Sequence, residues 1–143
     1  MLAWILKAES HINLEEYNEA VQAYDEIIKL NSSIELAWSS KGTALRNLGR
    51  YDTALEAYNR AIDLDPKDAN ALFGNGYVLD NQGDYELAIK AYDKVIELNP
   101  KEADAWNNKG NALNELGKHS EAMNAFNKAI EIDPKDALYL RNK

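Results

Sequence analysis

The chain has 143 residues, carries 24 acidic against 16 basic side chains for a net charge of −8, and contains no cysteine. The acidic balance argues against nucleic acid and against an anionic membrane surface, because both attract clustered lysine and arginine. The lack of cysteine excludes disulfide and thiolate chemistry and is compatible with a cytoplasmic location. No segment approaches the roughly 20 consecutive apolar residues of a membrane-spanning helix.

Aromatic residues recur with a period of 34 residues. One phase of this period holds Trp4, Trp38 and Trp106, with Leu72 at the remaining place. Another phase, twenty positions later, holds Tyr24, Tyr58, Tyr92 and Phe126. Such a period is typical of stacked repeats, in which each unit contacts its neighbours. A single domain of four repeats is therefore predicted, at 1–34, 35–68, 69–102 and 103–136, followed by a partial capping helix at 137–143.

Each period contains two apolar stretches at helical spacing, separated by a tight turn. In chain order, helices are predicted at 2–14, 18–30, 35–48, 52–64, 69–82, 86–98, 103–116 and 120–132, with a tail helix beginning near Asp136. The turns inside the last three repeats hold Gly49, Gly83 and Gly117, where a positive φ closes the first helix. The second helices are followed by Pro66, Pro100 and Pro134, which cannot continue a helix.

Three more glycines recur in the middle of the first helices, at Gly42, Gly76 and Gly110. Glycine there costs about 1 kcal/mol relative to alanine, so a compensating close approach of the paired helix is expected. The expected contacts are alanines that recur at a matching phase, namely Ala54, Ala88 and Ala122.

The order of Trp, Gly, Leu, Gly-x-Tyr, Ala, Tyr or Phe, and Pro within each period resembles the tetratricopeptide repeat (TPR). Residues 105–113, Ala-Trp-Asn-Asn-Lys-Gly-Asn-Ala-Leu, are close to the family consensus, and the resemblance covers 1–136. It implies an all-α fold in which antiparallel helix pairs stack into a right-handed superhelical solenoid. It also implies a concave groove, lined mostly by the first helices, that holds an extended peptide or a helix of a partner protein.

The first repeat departs from the pattern, since Ala8 and Glu15 replace two glycines. It also carries Leu2, Ile5 and Leu6, which map toward the concave side. Either an upstream segment or second chain covers these residues, or Met1 is an artificial start in phase with the repeat. Two alternatives to a complete binding module follow. One is a targeting or regulatory domain excised from a larger multidomain protein or enzyme, and the other is self-association through the apolar N-terminal end.

No constellation in the sequence predicts catalysis, a cofactor or a metal. His11 and His119 occupy repeat positions that hold Leu or Tyr elsewhere, so both are predicted to pack structurally, and neither has a second ligand at metal-binding spacing. The run from Asp80 to Asp84 lacks the glutamate that a calcium loop needs at its twelfth place, where Ala91 stands. The predicted function is that of a non-catalytic scaffold.

Mapping by phase assigns ten candidate peptide-binding residues to the groove. They are Ser39, Thr43, Asn70, Phe73, Tyr77, Asp80, Asn107, Asn108, Asn111 and Asn114. Phe73 and Tyr77 are predicted to anchor the peptide. The four asparagines of the fourth repeat are predicted to form one exposed stripe whose amides bind peptide backbone, the alternative being a solvated helix face. The mildly acidic lining favours a neutral or basic partner.

Two further expectations concern the groove. Some TPR proteins clamp a chaperone's C-terminal carboxylate with Lys, Arg and Asn, but neither of two alignments places a cation at those positions. The positions are Ile5, Glu9, Ser40, Asn70 and Gly74 in one alignment, and Ser39, Thr43, Gly74, Asp104 and Asn108 in the other. Gly74 is predicted to face the groove and admit a ligand backbone, or else to be an exposed position without function. In both cases Gly74→Ala is expected to stabilise the fold slightly.

Overall fold

A computed structural model describes residues 1–135 and contains eight α-helices and no strand within them. The helices are α1 (Leu2–Asn13), α2 (Tyr17–Leu30), α3 (Glu35–Asn47), α4 (Tyr51–Leu64), α5 (Ala69–Asn81), α6 (Tyr85–Leu98), α7 (Ala103–Glu115) and α8 (His119–Ile132). Every predicted helix is present, with each end within one residue of its predicted position. The predicted tail helix lies outside the described residues.

The described residues divide into two compact units, of which the first is Met1–Asn75 and the second begins at Gly76. In the first unit α1 packs on α2, α2 on α3, and α3 on α4. In the second unit α6 packs on α7, and α7 on α8. The three-residue turns inside the repeats make each pair an antiparallel helical hairpin. The prediction of one domain with four repeats stays a prediction.

The turns between paired helices share one hydrogen-bonded motif. In the second repeat the Gly49 N–H donates to the Arg46 carbonyl at 2.9 Å, and the Arg50 N–H donates to the Leu45 carbonyl at 2.9 Å. This pair of hydrogen bonds requires a residue in the left-handed backbone conformation. Gly49, Gly83 and Gly117 occupy that position and have φ of 72°, 86° and 75°. In the first repeat Glu15 takes this place, with φ of 58°. A glutamate therefore adopts a conformation that favours glycine.

The mid-helix glycines make room for aromatic rings of the paired helix. A Cβ atom at Gly42 would lie 2.7 Å from two ring carbons of Tyr58, and one at Gly110 would lie 2.5 Å from Phe126 Cε1. Gly76 stands in the same way against Tyr92, at 2.9 Å. The predicted close approach is confirmed. The nearest atoms belong to the ring sixteen residues later rather than to the predicted alanines, although at Gly76 the Cβ atom of Ala91 also lies within 3.2 Å.

These rings form the centre of the buried core. Tyr58 and Tyr92 are 0% exposed and Phe126 is 1% exposed. In the second unit Phe126 packs with Leu113, Ala122 and Ala125, and Trp106 and Ile89 lie against this cluster. Burying a large aromatic side chain stabilises the folded protein by roughly 1.5–3 kcal/mol relative to leaving it exposed. This gain accounts for the recurrence of an aromatic residue at this position of every repeat.

Candidate peptide-binding surface

In the first unit, two of the four candidate residues support the fold. Ser39 is 4% exposed, and its hydroxyl lies 3.4 Å from the Leu36 carbonyl oxygen. Thr43 Oγ1 lies 3.2 Å from both the Ser39 carbonyl oxygen and the Tyr58 hydroxyl. Burial raises the pKa of Tyr58, and the bond with Thr43 opposes that rise. Asn70 is exposed and Phe73 is half-buried, so these two are the more accessible candidates.

Gly74 is buried against Tyr58, and the prediction that it faces a ligand is wrong. A Cβ atom at Gly74 would lie 2.5 Å from the Tyr58 hydroxyl oxygen and 2.6 Å from Cε1. The ring of α4 thus fits between Gly42 on the preceding helix and Gly74 on the following helix. The space that the missing side chain leaves is filled by this protein's own tyrosine.

In the second unit, α5 and α7 contribute six candidate residues. Tyr77 is 37% exposed, while Asp80 is half-buried. Asn108, Asn111 and Asn114 are also half-buried. Half-burial leaves amide groups accessible while the surrounding helix holds them in place. These side chains fit the predicted hydrogen bonding to a peptide, which stays a prediction.

The fourth asparagine of α7 does not belong to an exposed stripe. Asn107 is 2% exposed, and its Nδ2 lies 3.4 Å from Asn108 Oδ1. Its counterpart one period earlier is the half-buried Phe73, and two periods earlier the buried Ser39. Side chains at this position of the repeat point into the protein. Asn108 is more accessible because helical residues one position apart lie on different faces. The expected stripe of four exposed asparagines is therefore replaced by one buried residue, Asn107, and three half-buried residues, Asn108, Asn111 and Asn114.

Asp80 is a perturbed carboxyl group of the second unit. Burial raises the pKa of Asp80, and the charge of Glu115 raises it further. Ionised Asp80 is therefore less favourable in the folded protein than in water. A cation from a partner would relieve both causes, since it would compensate the desolvated charge and screen the repulsion.

Neither histidine packs in the core as predicted. His119 is exposed, and its Nδ1 lies 3.1 Å from Asn114 Oδ1. His11 is half-buried, and its Nδ1 lies 2.7 Å from Glu16 Oε2. Both rings thus bridge the turn between the helices of their repeat. Within residues 1–135 no group of three His, Cys, Asp or Glu side chains is arranged to hold a metal ion.

Sequence reasoning missed a recurring pair of tryptophan and lysine. Lys7 Nζ lies 5.1 Å from the Trp4 ring centroid, and the same arrangement joins Lys41 to Trp38 at 5.5 Å and Lys109 to Trp106 at 5.5 Å. These are cation–π distances. The signal was present in the sequence, because the lysine follows each tryptophan by three residues and shares its period. No helix among the described residues is long and apolar enough to cross a membrane.

Several solved structures are similar to this chain, whereas a search of curated proteins gives no match. MamA protein is 29% identical over 92% of this chain and 72% of its own, with a TM-score of 0.84. MamA 41-end from Desulfovibrio magneticus RS-1 is 25% identical over 93% and 79%, with a TM-score of 0.82. The first TPR of Spaghetti (RPAP3), solved bound to the HSP90 peptide SRMEEVD, is 21% identical over 75% and 85%, with a TM-score of 0.73. These likenesses confirm the all-α TPR fold class.

Three family models match the chain. Two are described as tetratricopeptide repeat, at residues 2–34 and 73–137, and one as TPR repeat, at 42–83. Together they span 2–34 and 42–137, which is most of the sequence. The chain therefore belongs to the tetratricopeptide repeat family.

Proposed function

We propose that this protein is a non-catalytic, cytoplasmic interaction module whose first helices bind a peptide segment of a partner protein. The observation that carries the proposal is the polar face of α7, where Asn108, Asn111 and Asn114 are held half-buried. An amide offers two donors and a carbonyl acceptor, which match the N–H and C=O groups of an extended backbone. Backbone recognition tolerates many side chains, so the selectivity of this surface must come from its neighbours.

The neighbours of the asparagines favour a neutral or basic segment. Burial raises the pKa of Asp80, and the nearby charge of Glu115 raises it further. Tyr77, 37% exposed on the same helix as Asp80, offers a ring for an apolar or cationic side chain. An acidic peptide would add a third charge to an already repulsive pair. The lack of a cation at the carboxylate-clamp positions agrees with this preference.

The proposal is tested with peptides selected from a random display library on the wild-type protein. A selected peptide is synthesised, and its Kd is measured by calorimetry for the wild type and Asn108→Ala/Asn111→Ala. Two lost hydrogen bonds of about 1 kcal/mol each are expected to weaken binding tenfold or more. The matched control is Asn124→Ala/Asn127→Ala on the exposed face of α8, which should bind like the wild type.

The peptide SRMEEVD serves as the acidic comparison and is expected not to bind. Failure to select any peptide, or equal affinity in both double variants and the wild type, removes the first-helix proposal. Tight binding of SRMEEVD would contradict the expected charge preference.

A second candidate function is self-association through α1. Leu2 is 70% exposed and Leu6 is 58% exposed. The later counterparts of Leu6 contact the aromatic residue of the preceding second helix: Ser40 hydrogen-bonds Tyr24, and Gly74 lies against Tyr58. Leu6 thus occupies a repeat position whose later residues, Ser40 and Gly74, contact the preceding helix. A second copy of this chain is the proposed occupant.

Light scattering over a concentration series tests the association. Leu2→Glu/Leu6→Glu is expected to reduce the average mass at high concentration to that of a monomer. Leu30→Glu/Leu87→Glu introduces the same charges at leucines that are 58% and 50% exposed elsewhere, and should leave the mass unchanged. A wild-type protein that is monomeric at every concentration rules the idea out.

A further inference from the structure

A groove lies between α1 and α2. It encloses about 520 Å³, and its apolar walls are Trp4 and Ala23. Lys7, Glu19 and Glu26 stand among its charged rim residues. We refer to this groove as the Trp4 pocket.

The same pocket recurs at a fixed place in the repeat. In the second unit a groove of about 490 Å³ is walled by Trp106 and Ala125 and rimmed by Lys109 and Lys128. Each of these residues stands three periods after a residue of the Trp4 pocket. The recurrence identifies the pocket as a product of the repeat geometry, and the residues that vary within it determine what it accepts.

The second repeat shows which group the position accepts. Arg60 Cζ lies 5.8 Å from the ring centroid of Trp38. Lys41 Nζ also approaches that ring, at 5.5 Å. Trp38 therefore receives two cations, one from its own helix and one from the second helix of the repeat. Within residues 1–135 the structure places only the lysine, Lys7, over Trp4.

The residue that would supply the second cation in the first repeat has the opposite charge. Glu26 stands one period before Arg60, and Lys29 stands one period before Asp63. Arg60 and Asp63 form an ion pair at 3.8 Å, and Glu26 and Lys29 form the reversed pair at 2.5 Å. The reversal leaves Trp4 without an internal guanidinium and puts a carboxylate beside it.

We propose that the Trp4 pocket binds an arginine side chain of a partner protein. The guanidinium would lie over the Trp4 ring as Arg60 lies over Trp38, and it would hydrogen-bond the carboxylate of Glu26. A planar guanidinium satisfies both contacts at once, whereas an ammonium group is a strongly hydrated point charge. Lys29 is 69% exposed, and its exposed pair with Glu26 contributes little stability, so exchange for the partner's arginine is easy.

The other acidic groups of the pocket add to the preference. Glu19 is exposed at the rim and adds a second carboxylate. Asp25 also lines the pocket, but its carboxylate already pairs with Lys41 at 2.6 Å. This site is independent of the peptide-binding surface proposed above, because it uses residues of α1 and α2, whereas that surface uses residues of α5 and α7.

The three indole N–H signals in a proton–nitrogen NMR spectrum test the proposal directly. They are assigned with single Trp→Phe variants, and the protein is titrated at constant ionic strength with acetyl-Gly-Arg-Gly-amide. The Trp4 signal is expected to shift and saturate, while the Trp38 signal stays in place because Arg60 already covers that ring. The lysine analogue of the peptide should produce a smaller shift, and acetyl-Gly-Gly-Gly-amide none.

The decisive variant is Glu26→Arg, which gives the first repeat the residue of the second. Its own guanidinium should occupy the pocket and abolish the Trp4 shift. The control Glu97→Arg makes the same charge change in the third repeat, where Leu72 replaces the tryptophan, and should retain the shift. An absent Trp4 response, an equal response at Trp38, an equal response to the lysine peptide, or an undiminished response in Glu26→Arg would overturn the proposal.

Discussion

Gly74 lies so close to Tyr58 that a Cβ atom at residue 74 would be 2.5 Å from the tyrosine hydroxyl oxygen. Tyr58 has little freedom to withdraw, since it is fully buried, meets Gly42 on its other side and bonds Thr43 at 3.2 Å. The contact explains a glycine that sequence phase alone leaves unexplained. It also reverses the expected effect of filling the position.

Gly74→Ala is expected to destabilise the protein by about 1–3 kcal/mol, the usual cost of overpacking a well-packed site. This cost outweighs the roughly 1 kcal/mol that alanine gains over glycine inside a helix. Chemical denaturation measures the change. In a Tyr58→Leu background the cost should disappear, because the obstructing ring is gone. A stabilised single variant would show that Tyr58 moves aside freely.

The mid-helix glycines of the second unit should differ in their tolerance of alanine. A Cβ atom at Gly110 would lie 2.5 Å from Phe126 Cε1, whereas one at Gly76 would lie 2.9 Å from Tyr92 Cε1. Gly110→Ala is therefore expected to cost more stability than Gly76→Ala, within the same range of about 1–3 kcal/mol. Parallel urea titrations give the ranking. Equal midpoints for the two variants would contradict it.

Glu15→Gly is expected to stabilise the protein by about 0.5–1 kcal/mol. Glu15 has φ of 58° and makes the same turn bonds as the glycines of the other repeats. Glycine adopts this conformation without the steric cost that a Cβ atom imposes. Thermal denaturation measures the gain, and Gly49→Ala, with φ of 72°, is the reciprocal variant and should lose stability. A lower melting temperature for Glu15→Gly would refute the strain at this turn.

Asp80→Asn should raise the melting temperature at neutral pH. Burial and Glu115 give this carboxyl a higher pKa when folded than when unfolded, so its ionisation opposes folding. The unfavourable effect develops as the pH rises through the pKa values of the two states and is absent below the unfolded value of about 3.9. The gain from Asp80→Asn should therefore shrink toward acidic pH. The control is Glu97→Gln, which removes one carboxylate at an exposed position.

The helices were predictable because their signals are local. Turn glycines, prolines after the second helices and apolar spacing fix each helix end to within one residue. The phase of the aromatic residues also indicated the core, in which Tyr58, Tyr92 and Phe126 are buried. Repetition supplied the same evidence several times over, which compensates for weak signals in the first repeat.

The surface was less predictable, because adjacent positions of a helix differ sharply in burial. Asn107 and Asn108 are neighbours with the same side chain, yet Asn107 is buried, at 2% exposed, whereas Asn108 is half-buried. The position of a residue within the 34-residue period could not show that the Tyr58 ring reaches Gly74 on the following helix. That contact depends on how far a side chain extends across an interface. The pairs of tryptophan and lysine were visible in the sequence, but their importance depends on which charge stands one helix away.

The position of Tyr58 between Gly42 and Gly74 also determines how the first unit opens. The ring fills space that belongs to α3 and to the start of α5, so neither helix can separate from α4 without exposing it. Neighbouring repeats are thereby coupled in their unfolding, and backbone amides of α3, α4 and the first half of α5 should exchange with solvent in one cooperative event. Replacing this ring with a smaller side chain would let the second and third repeats open separately.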